Sequence, residues 1–319
     1  MHGVLPGFLE ARVACCPGSS VARKAARKAY NAPMNADFRG RTVLVTGGSE
    51  GVGAAVARRF AGAGASLVLV ARGREKLERL AAELGGTTRV LTVPMDVADA
   101  AACEALMERV ERELGSLHVL VNNAGYHRRG SVETVDAADL GRMIDVNLRA
   151  PIVLSRLAIP YLRKAGGGAI VNVASLAGRT PLPGAATYSA SKFGLRVFTF
   201  ALGEELAGSG IKVAAVSPGP IDTGFIMANI DSVADITFSQ PLSTADQVAQ
   251  AVMDLCVNEK REQSMPAASG FLTTLSYLFP ALGRWLRPAL AAKGRRVKAR
   301  LKAQMQAATG PGDEASRTP

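Results

Sequence analysis

The sequence predicts an α/β protein built around a parallel β-sheet, within a chain of 319 residues. Six short runs of apolar, often β-branched residues alternate with helical patterns between residues 42 and 258. Such alternation is typical of βαβ units, and strands that are apolar throughout are typical of sheets covered on both faces. No repeat or long linker interrupts the pattern, so we expect a single domain over residues 37–266. Ligands should bind at the carboxyl ends of its strands.

The boundaries of the elements follow from these patterns. The predicted strands are 42–46, 66–71, 89–93, 118–121, 169–174 and 211–216, and the predicted helices are 51–64, 73–84, 99–114, 137–165, 186–208 and 244–258.

Composition excludes several classes of function. The net charge is +11, but the excess lies at the two ends of the chain, in 1–36 and 263–312, and the body between them is neutral. A nucleic-acid-binding protein needs a basic stripe on its folded face, so we expect no nucleic-acid partner. The four cysteines and three histidines form no cluster with metal-ligand spacing. We therefore expect no metal, a reducing compartment and a cytoplasmic location.

Residues 1–36 differ from the rest of the chain because they are basic, poor in acids and without regular periodicity. Three interpretations stay open. The true start is Met34 and the upstream residues are not translated; the segment is a targeting peptide; or it is a disordered basic arm that touches a membrane. We favour the first.

A glycine-rich segment, TGGSEGVG, joins the first strand to the first helix. Glycines let the backbone approach a pyrophosphate, and a helix N-terminus offers free N–H groups and the positive end of its dipole. The spacing differs from the common G-x-G-x-x-G form. We nevertheless expect a nucleotide here, held by Gly47, Ser49, Glu50, Gly51, Val52 and Gly53.

The second strand is followed by two arginines, Arg72 and Arg74, and by no carboxylate that could bind the 2′-hydroxyl of NAD. An arginine at this position suits the 2′-phosphate of NADP, so we expect NADP(H) to be preferred over NAD(H). The alternative is that both arginines are solvated charges, and the acidic Glu50 nearby counts against a phosphate. Asp96 and Val97, after the third strand, either border the adenine or cap the next turn.

The later strand ends also carry polar or turn-forming residues. Asn123, Ala124 and Gly125 follow the fourth strand, where Asn123 either ties strands together or contacts the cofactor. Asn147 lies inside a predicted helix, in which asparagine is unfavourable, and this indicates a kink or a polar task. Further along the chain come Ser175, after the fifth strand, and Pro218, Gly219, Ile221 and Thr223, after the sixth.

Tyr188 and Lys192 are four residues apart in a predicted helix, which places them on one face. Free tyrosine has a pKa of about 10, and a neighbouring cation favours the phenolate. We therefore expect Lys192 to lower the pKa of Tyr188 toward working pH. Ser175 is close enough along the chain to add a second hydroxyl, and two hydroxyls can hold a carbonyl oxygen that gains charge.

Taken together, these motifs resemble the short-chain dehydrogenase/reductases over residues 42–260. The resemblance implies a Rossmann-type, doubly wound parallel sheet of about seven strands that binds NAD(P). It also implies roles for Tyr188 as proton donor, Lys192 as its tuner and ribose ligand, Ser175 as carbonyl positioner, Asn147 as holder of a relay water and Thr223 as a cofactor contact. Homodimers or homotetramers through helices 137–165 and 186–208 are implied as well.

Residues 267–319 depart from that family, whose members often end soon after the last strand, here expected at 261–266. Phe271, Leu275, Leu278, Leu282 and Trp285 form an apolar helical stripe, and a basic segment follows it. Prolines and polar residues make a spanning helix improbable. This extension either lies on an anionic membrane surface or packs on the body, covers the cleft or builds a dimer contact.

The apolar segment 224–240, a predicted substrate lid, indicates a lipophilic substrate. Together with the extension it is similar to lipid-acting family members, so we expect a 3-keto lipid, a long-chain ketone or a steroid-like ketone. Two rival functions stay open: a non-catalytic NADP-binding scaffold and a membrane-surface adaptor.

Overall fold

A computed structural model describes residues 37–222 and 230–308. These residues form a seven-stranded parallel sheet in the order β3-β2-β1-β4-β5-β6-β9. The strands are β1 Thr42–Thr46, β2 Ser66–Ala71, β3 Val90–Pro94, β4 Val119–Asn122, β5 Gly168–Val173, β6 Ile211–Pro218, β7 Ile221–Asp222, β8 Ser243–Thr244 and β9 Glu262–Met265. The strands β7 and β8 pair separately, also in parallel.

Helices cover both faces of the sheet. They are α1 Gly51–Gly62, α2 Arg74–Leu84, α3 Ala100–Leu114, α4 Ala137–Ile144, α5 Ala150–Lys164, α6 Ala186–Glu205, α7 Ala245–Val257, α8 Ala267–Leu278 and α9 Pro280–Ala308. Along β1, Val43 and Val45 face the apolar layer beneath α1, α2 and α7, whereas Leu44 faces the layer beneath α3, α5 and α6. This period-2 alternation explains why every residue of β1 is buried.

The predicted α/β fold with its doubly wound parallel sheet is confirmed, and the sheet order reverses between β1 and β4, where ligands bind in such folds. The observed strands lie within two residues of the predicted ones, and the expected last strand forms as β9 at the sheet edge. The predicted helix 137–165 is interrupted, because a π-helical turn at Asp145–Arg149 separates α4 from α5. Asn147 lies in that turn, and of its two predicted roles, a kink or a polar task, its hydrogen bonds to Tyr126 show the polar one.

The extension forms two helices, α8 and α9, which we call the C-terminal hairpin. Arg179 ties α8 to the sheet, since its guanidinium donates to Thr274 Oγ1 at 2.7 Å and to the Glu262 carboxylate of β9. Glu262 also accepts hydrogen bonds from Arg196 of α6 and, at 2.6 Å, from Ser217 of β6. The hairpin is therefore anchored through a buried carboxylate that also holds α6.

The helix α9 packs on two short 3₁₀ turns, Ile230–Ser232 and Asp235–Ser239. Phe238 is fully buried there against Val297 and Leu301. Across residues 37–222 and 230–308, no helix has the length and apolarity that crossing a membrane requires. The predicted segment 1–36, Thr223 and the first part of the predicted lid lie outside the described residues.

Candidate active site

The glycine-rich segment turns tightly between β1 and α1. Gly47 and Gly51 have φ of +63° and +56°, a region that side chains disfavour. A Cβ on Gly53 would lie 2.0 Å from the Gly47 carbonyl oxygen, so only glycine fits. Glu50 stands at the N-cap without a side-chain cap, and the first turn of α1 holds no acid. The exposed N–H groups and the bare backbone fit a pyrophosphate.

Asn123 ties the ends of β1 and β4 together. Its amide Nδ2 donates to the Thr46 and Gly47 carbonyl oxygens at 2.9 and 3.2 Å. The Thr46 hydroxyl in turn accepts from the Asn123 and Ala124 N–H groups, both at 3.0 Å. Of the two roles that the sequence left open, the strand tie is present, and Asn123 also lines the adjoining cavity.

A single cavity of about 1950 Å³ runs from this glycine segment past the catalytic residues to the C-terminal hairpin. We call it the active-site cavity. Among the predicted cofactor residues, those that line it are Gly47, Ser49, Glu50, Gly51, Val52, Arg72, Asp96, Val97, Asn123, Ala124, Gly125, Tyr188, Lys192, Pro218, Gly219 and Ile221. Gly53 lies behind this wall, where it supports Gly47.

Charges at the glycine end of the cavity are distributed differently from the prediction. Arg72 lines the cavity, but the structure does not bring Arg74 there, because the Arg74 guanidinium lies 3.6 Å from Glu78 along α2. The carboxylate of Glu50 pairs with Lys76 at 2.6 Å, which neutralises the acid that counted against a phosphate. Lys76 had not been predicted as a site residue.

Asp96 serves the turn as well as the cavity wall. Its Oδ1 accepts from the Ala98 N–H at 2.9 Å, and its Oδ2 pairs with Arg142 of α4. Of the two alternatives that the sequence left open, the turn cap is present, and the same side chain lines the cavity.

The predicted catalytic residues Ser175, Tyr188 and Lys192 converge where β5 ends and α6 begins. Tyr188 and Lys192 both line the cavity, with the Lys192 Nζ 5.9 Å from the Tyr188 ring centroid. The ammonium donates to the Val173 carbonyl oxygen at 2.9 Å, and Ser175 hydrogen-bonds the Tyr188 phenol. The shared helix face that the sequence predicted for Tyr188 and Lys192 is confirmed.

The predicted electrostatic effect of Lys192 is wrong for this structure. Burial raises the pKa of the Tyr188 phenol, and the Ser175 hydrogen bond and the charge of Arg129 partly oppose that rise. Burial also lowers the pKa of Lys192 to about 8. A buried ammonium is itself costly, and we find Arg129, not Lys192, as the cation that acts on the phenol.

Asn147 lies behind the cavity wall in the π-helical turn. It is fully buried, donates from Nδ2 to the Tyr126 carbonyl oxygen at 2.8 Å and accepts the Tyr126 N–H at 2.9 Å. A Cβ on Gly125 would lie 3.0 Å from Asn147 Oδ1 and 3.4 Å from Lys192 Nζ. Asn147 thus holds the strand-end loop against Lys192, and such π-turns often mark functional sites.

The sequence interpretation missed residues on the loop after β4 and near β8. The His127 ring stacks on Tyr188 with centroids 4.2 Å apart, and burial lowers the pKa of His127 to about 4, so the imidazole is neutral. Among the described residues, three cavity-lining side chains hold a buried polar atom without a partner: His127 Nε2, Ser189 Oγ and Gln240 Oε1. Such atoms are rare in folded proteins, and a bound ligand would satisfy them.

A search for related families and structures agrees with this geometry. Residues 41–233 match the short chain dehydrogenase family. Sulfoacetaldehyde reductase 2 of Chromohalobacter salexigens is 37% identical, over 70% of this chain and 93% of the relative. Cis-4-hydroxycyclohexanecarboxylate dehydrogenase of Sinomonas cyclohexanicum is 36% identical, over 69% of this chain and 90% of the relative.

One solved structure is similar to this chain in fold as well as in sequence. The crystal structure of a metagenomic short-chain oxidoreductase in complex with NADP is 31% identical and has a TM-score of 0.62, covering 72% of this chain and 98% of that one. The chain therefore belongs to the short-chain dehydrogenase/reductase family and is an NAD(P)-dependent oxidoreductase of carbonyl and alcohol substrates.

Proposed function

We propose that the chain is an NADP(H)-dependent reductase or dehydrogenase of a lipophilic ketone or secondary alcohol. One observation carries the proposal: a continuous cavity of about 1950 Å³ joins the glycine segment, Tyr188 and the C-terminal hairpin. Single ligand sites measure about 300–1,000 Å³. The cavity can therefore hold a dinucleotide and a large substrate together.

The residues have distinct tasks in this reaction. When bound, the nicotinamide supplies or accepts the hydride. Tyr188 donates its proton to the carbonyl oxygen, and Ser175 donates a hydrogen bond to the same oxygen as its charge grows. Lys192 lines the cavity beside the phenol and is the ribose ligand that we propose, and Arg129 favours the phenolate that proton transfer leaves.

A preference for NADP over NAD is supported by Arg72 and Lys76 at the glycine end of the cavity, and by the similar oxidoreductase that binds NADP. We expect Arg72→Ala to raise the KM for NADP about tenfold, the effect of one charge-assisted hydrogen bond, and to leave the KM for NAD unchanged. Arg74→Ala is the matched control, since Arg74 pairs with Glu78 away from the cavity. Equal effects of Arg72→Ala on both cofactors would contradict the preference.

A lipophilic substrate is supported by the hairpin residues that wall the cavity. Leu272, Tyr277, Pro280 and Leu290 all line it. The test is NADPH oxidation over a panel of methyl ketones of increasing chain length, in which we expect kcat/KM to rise with length. A flat or falling series would reject the lipophilic substrate. No NADPH oxidation with any ketone or aldehyde would instead favour the scaffold or adaptor functions.

An anionic membrane surface is the partner that we propose for the hairpin's outer face. Phe271 and Trp285 are 69% and 76% exposed, and Leu278 and Phe279 are exposed beside them. Aromatic residues next to cations favour the interface of an anionic bilayer. Trp285 is the only tryptophan of the chain, so a blue shift of its emission with anionic vesicles, and none with zwitterionic ones, is the expected result.

A homodimer or homotetramer through α5 and α6 also remains a proposal. Ile152 and Val197 are apolar and exposed on these helices, and a second copy would cover them. Sedimentation equilibrium tests this directly, since Val197→Glu should shift the wild-type assembly toward monomer. A monomeric wild-type chain would reject it.

A further inference from the structure

The first half of α9 forms part of the active-site cavity. The residues of α9 that line it, which we call the stripe, are Pro280, Gly283, Arg284, Arg287, Leu290 and Lys293. Arg284 and Arg287 are three residues apart and lie side by side on the helix, whereas Lys293 is about two and a half turns beyond Arg284 and leaves the opposite side. The stripe therefore winds around α9, and three of its side chains are cations.

The cations of this stripe differ from those further along the same helix. Lys298 and Lys302 pair with Asp235 and Asp231, and Lys298 also donates to the Val233 carbonyl oxygen at 2.7 Å. Within residues 37–222 and 230–308, no acidic group lies within ion-pairing distance of the stripe cations Arg284, Arg287 and Lys293. The cations in the second half of α9 therefore form ion pairs that hold the helix on the body. The stripe cations in its first half form no such pairs within the described residues.

The charges of the other side chains that line the cavity also favour an anionic ligand at its hairpin end. In the described part of the chain, the acids that line the cavity are Glu50 and Asp96, which lie at the glycine end and pair with Lys76 and Arg142. Arg129 lines the cavity beside Tyr188 and adds a further positive charge to the substrate end. A cleft lined by one sign of charge concentrates ligands of the opposite sign.

We propose that Arg284 and Arg287 form a binding site for the anionic head group of an amphipathic substrate. The head group is a carboxylate, phosphate or sulfate, which arginine binds through paired hydrogen bonds. The apolar part of the same molecule lies along Leu272 and Tyr277, and its carbonyl reaches Tyr188. This inference rests on the proposed reductase function and specifies the class of its substrate.

Binding of a monomeric amphiphile tests the site independently of turnover. Titration calorimetry of the NADP-loaded full chain compares decyl phosphate with decanol, both below the concentration at which they aggregate. We expect wild type to bind decyl phosphate at least about tenfold more tightly than decanol. Arg284→Ala combined with Arg287→Ala should remove that advantage and leave decanol binding unchanged.

A matched pair on the same helix controls for loss of charge or fold. Arg296 and Arg300 are exposed on α9 but do not line the cavity, so their double alanine variant should keep the preference for decyl phosphate. Equal affinity of wild type for the two amphiphiles, or equal losses in both double variants, would overturn the site.

Binding to vesicles tests whether these cations bind a ligand in the cavity or a membrane surface. If Arg284→Ala with Arg287→Ala abolishes binding to anionic vesicles but leaves decyl phosphate binding intact, the cations serve the bilayer and the cavity site is wrong. If amphiphile binding follows the proposal while no ketone or aldehyde is reduced, the site stands and the reductase function fails.

Discussion

The carboxyl edge of the sheet and the C-terminal hairpin differ in which side chains they bury. The sheet edge buries polar side chains, and the hairpin exposes apolar ones. At the sheet edge, polar and charged side chains such as Asn147 and Lys192 are buried and held by hydrogen bonds. On the hairpin, apolar side chains such as Phe271 and Trp285 face solvent. The buried polar groups are stable because they are hydrogen-bonded, whereas a contiguous patch of exposed apolar side chains is unfavourable in water and fits the membrane partner that we propose.

The largest effect should come from the sheet edge. Tyr188→Phe removes the hydroxyl that hydrogen-bonds Ser175 and leaves the ring that stacks on His127. Because general acids contribute roughly 10²–10⁴ to rate, we expect kcat to fall by about that factor while NADPH affinity changes less than about twofold. Stopped-flow turnover and NADPH fluorescence titration measure the two quantities. Near-normal turnover would refute the role of Tyr188.

The next largest effect, on stability, should come from Glu262, which joins the C-terminal hairpin to the sheet. Glu262 holds Arg179 and Arg196 together with a side chain only 8% exposed. Removing one partner of a buried ion pair costs about 3–5 kcal/mol, so Glu262→Gln should lower the free energy of unfolding by about 3 kcal/mol. Urea denaturation measures it. Glu204→Gln, which breaks an exposed pair with Arg261, is the control and should cost less than about 1 kcal/mol.

The free energy of unfolding of Glu262→Gln should also depend on pH differently from that of wild type. Burial raises the pKa of Glu262, but hydrogen bonds from Arg196, Arg179 and Ser217 outweigh burial and hold the pKa below its usual value. The unfolded chain therefore takes up the proton first, and the stabilisation is lost as pH falls below about 4.3, the free value. Wild type should lose stability more steeply than Glu262→Gln in that range. If the free energy of unfolding fell equally steeply with pH in both proteins, Glu262 would not be the group responsible.

A smaller effect is expected in the glycine segment. A Cβ at Gly53 meets the Gly47 carbonyl oxygen at 2.0 Å, and overpacking of this kind costs about 1–3 kcal/mol. Gly53→Ala should therefore reduce stability by that amount and weaken NADP binding, as measured by thermal unfolding and calorimetry. Gly62→Ala is the matched control in the same helix, because its Cβ would meet no atom within 4 Å. A cost at Gly62 as large as at Gly53 would contradict the packing argument.

The smallest effect on stability should be that of Trp285→Ser on the hairpin. The side chain is 76% exposed, so the free energy of unfolding should change by less than about 0.5 kcal/mol. Sedimentation with anionic vesicles should nevertheless fall markedly. Val197→Ser, an exposed apolar change on the body, should leave sedimentation unchanged. Unaltered sedimentation of Trp285→Ser would count against the membrane partner.

Much of the site was predictable because its residues follow strand ends. Gly47, Asn123 and Gly219 come directly after a buried strand and Ser175 comes two residues after one, and parallel strands bring their carboxyl ends to one edge. His127 and Arg129 were missed because they belong to a loop whose path no periodicity describes. The direction of the Tyr188 pKa shift was missed because burial, the largest cause, depends on the surrounding chain.

The sequence by itself determined the parallel sheet, the glycine turn and the shared face of Tyr188 and Lys192, since each depends on local spacing and backbone preference. The predicted apolar helical stripe from Phe271 to Trp285 is broken at Phe279, where α8 ends. Only the tertiary structure decided that Arg72 reaches the cavity while Arg74 does not, and that Arg284 and Arg287 of α9 line the same cavity as Tyr188. These outcomes depend on contacts between residues far apart in the chain, which local patterns do not encode.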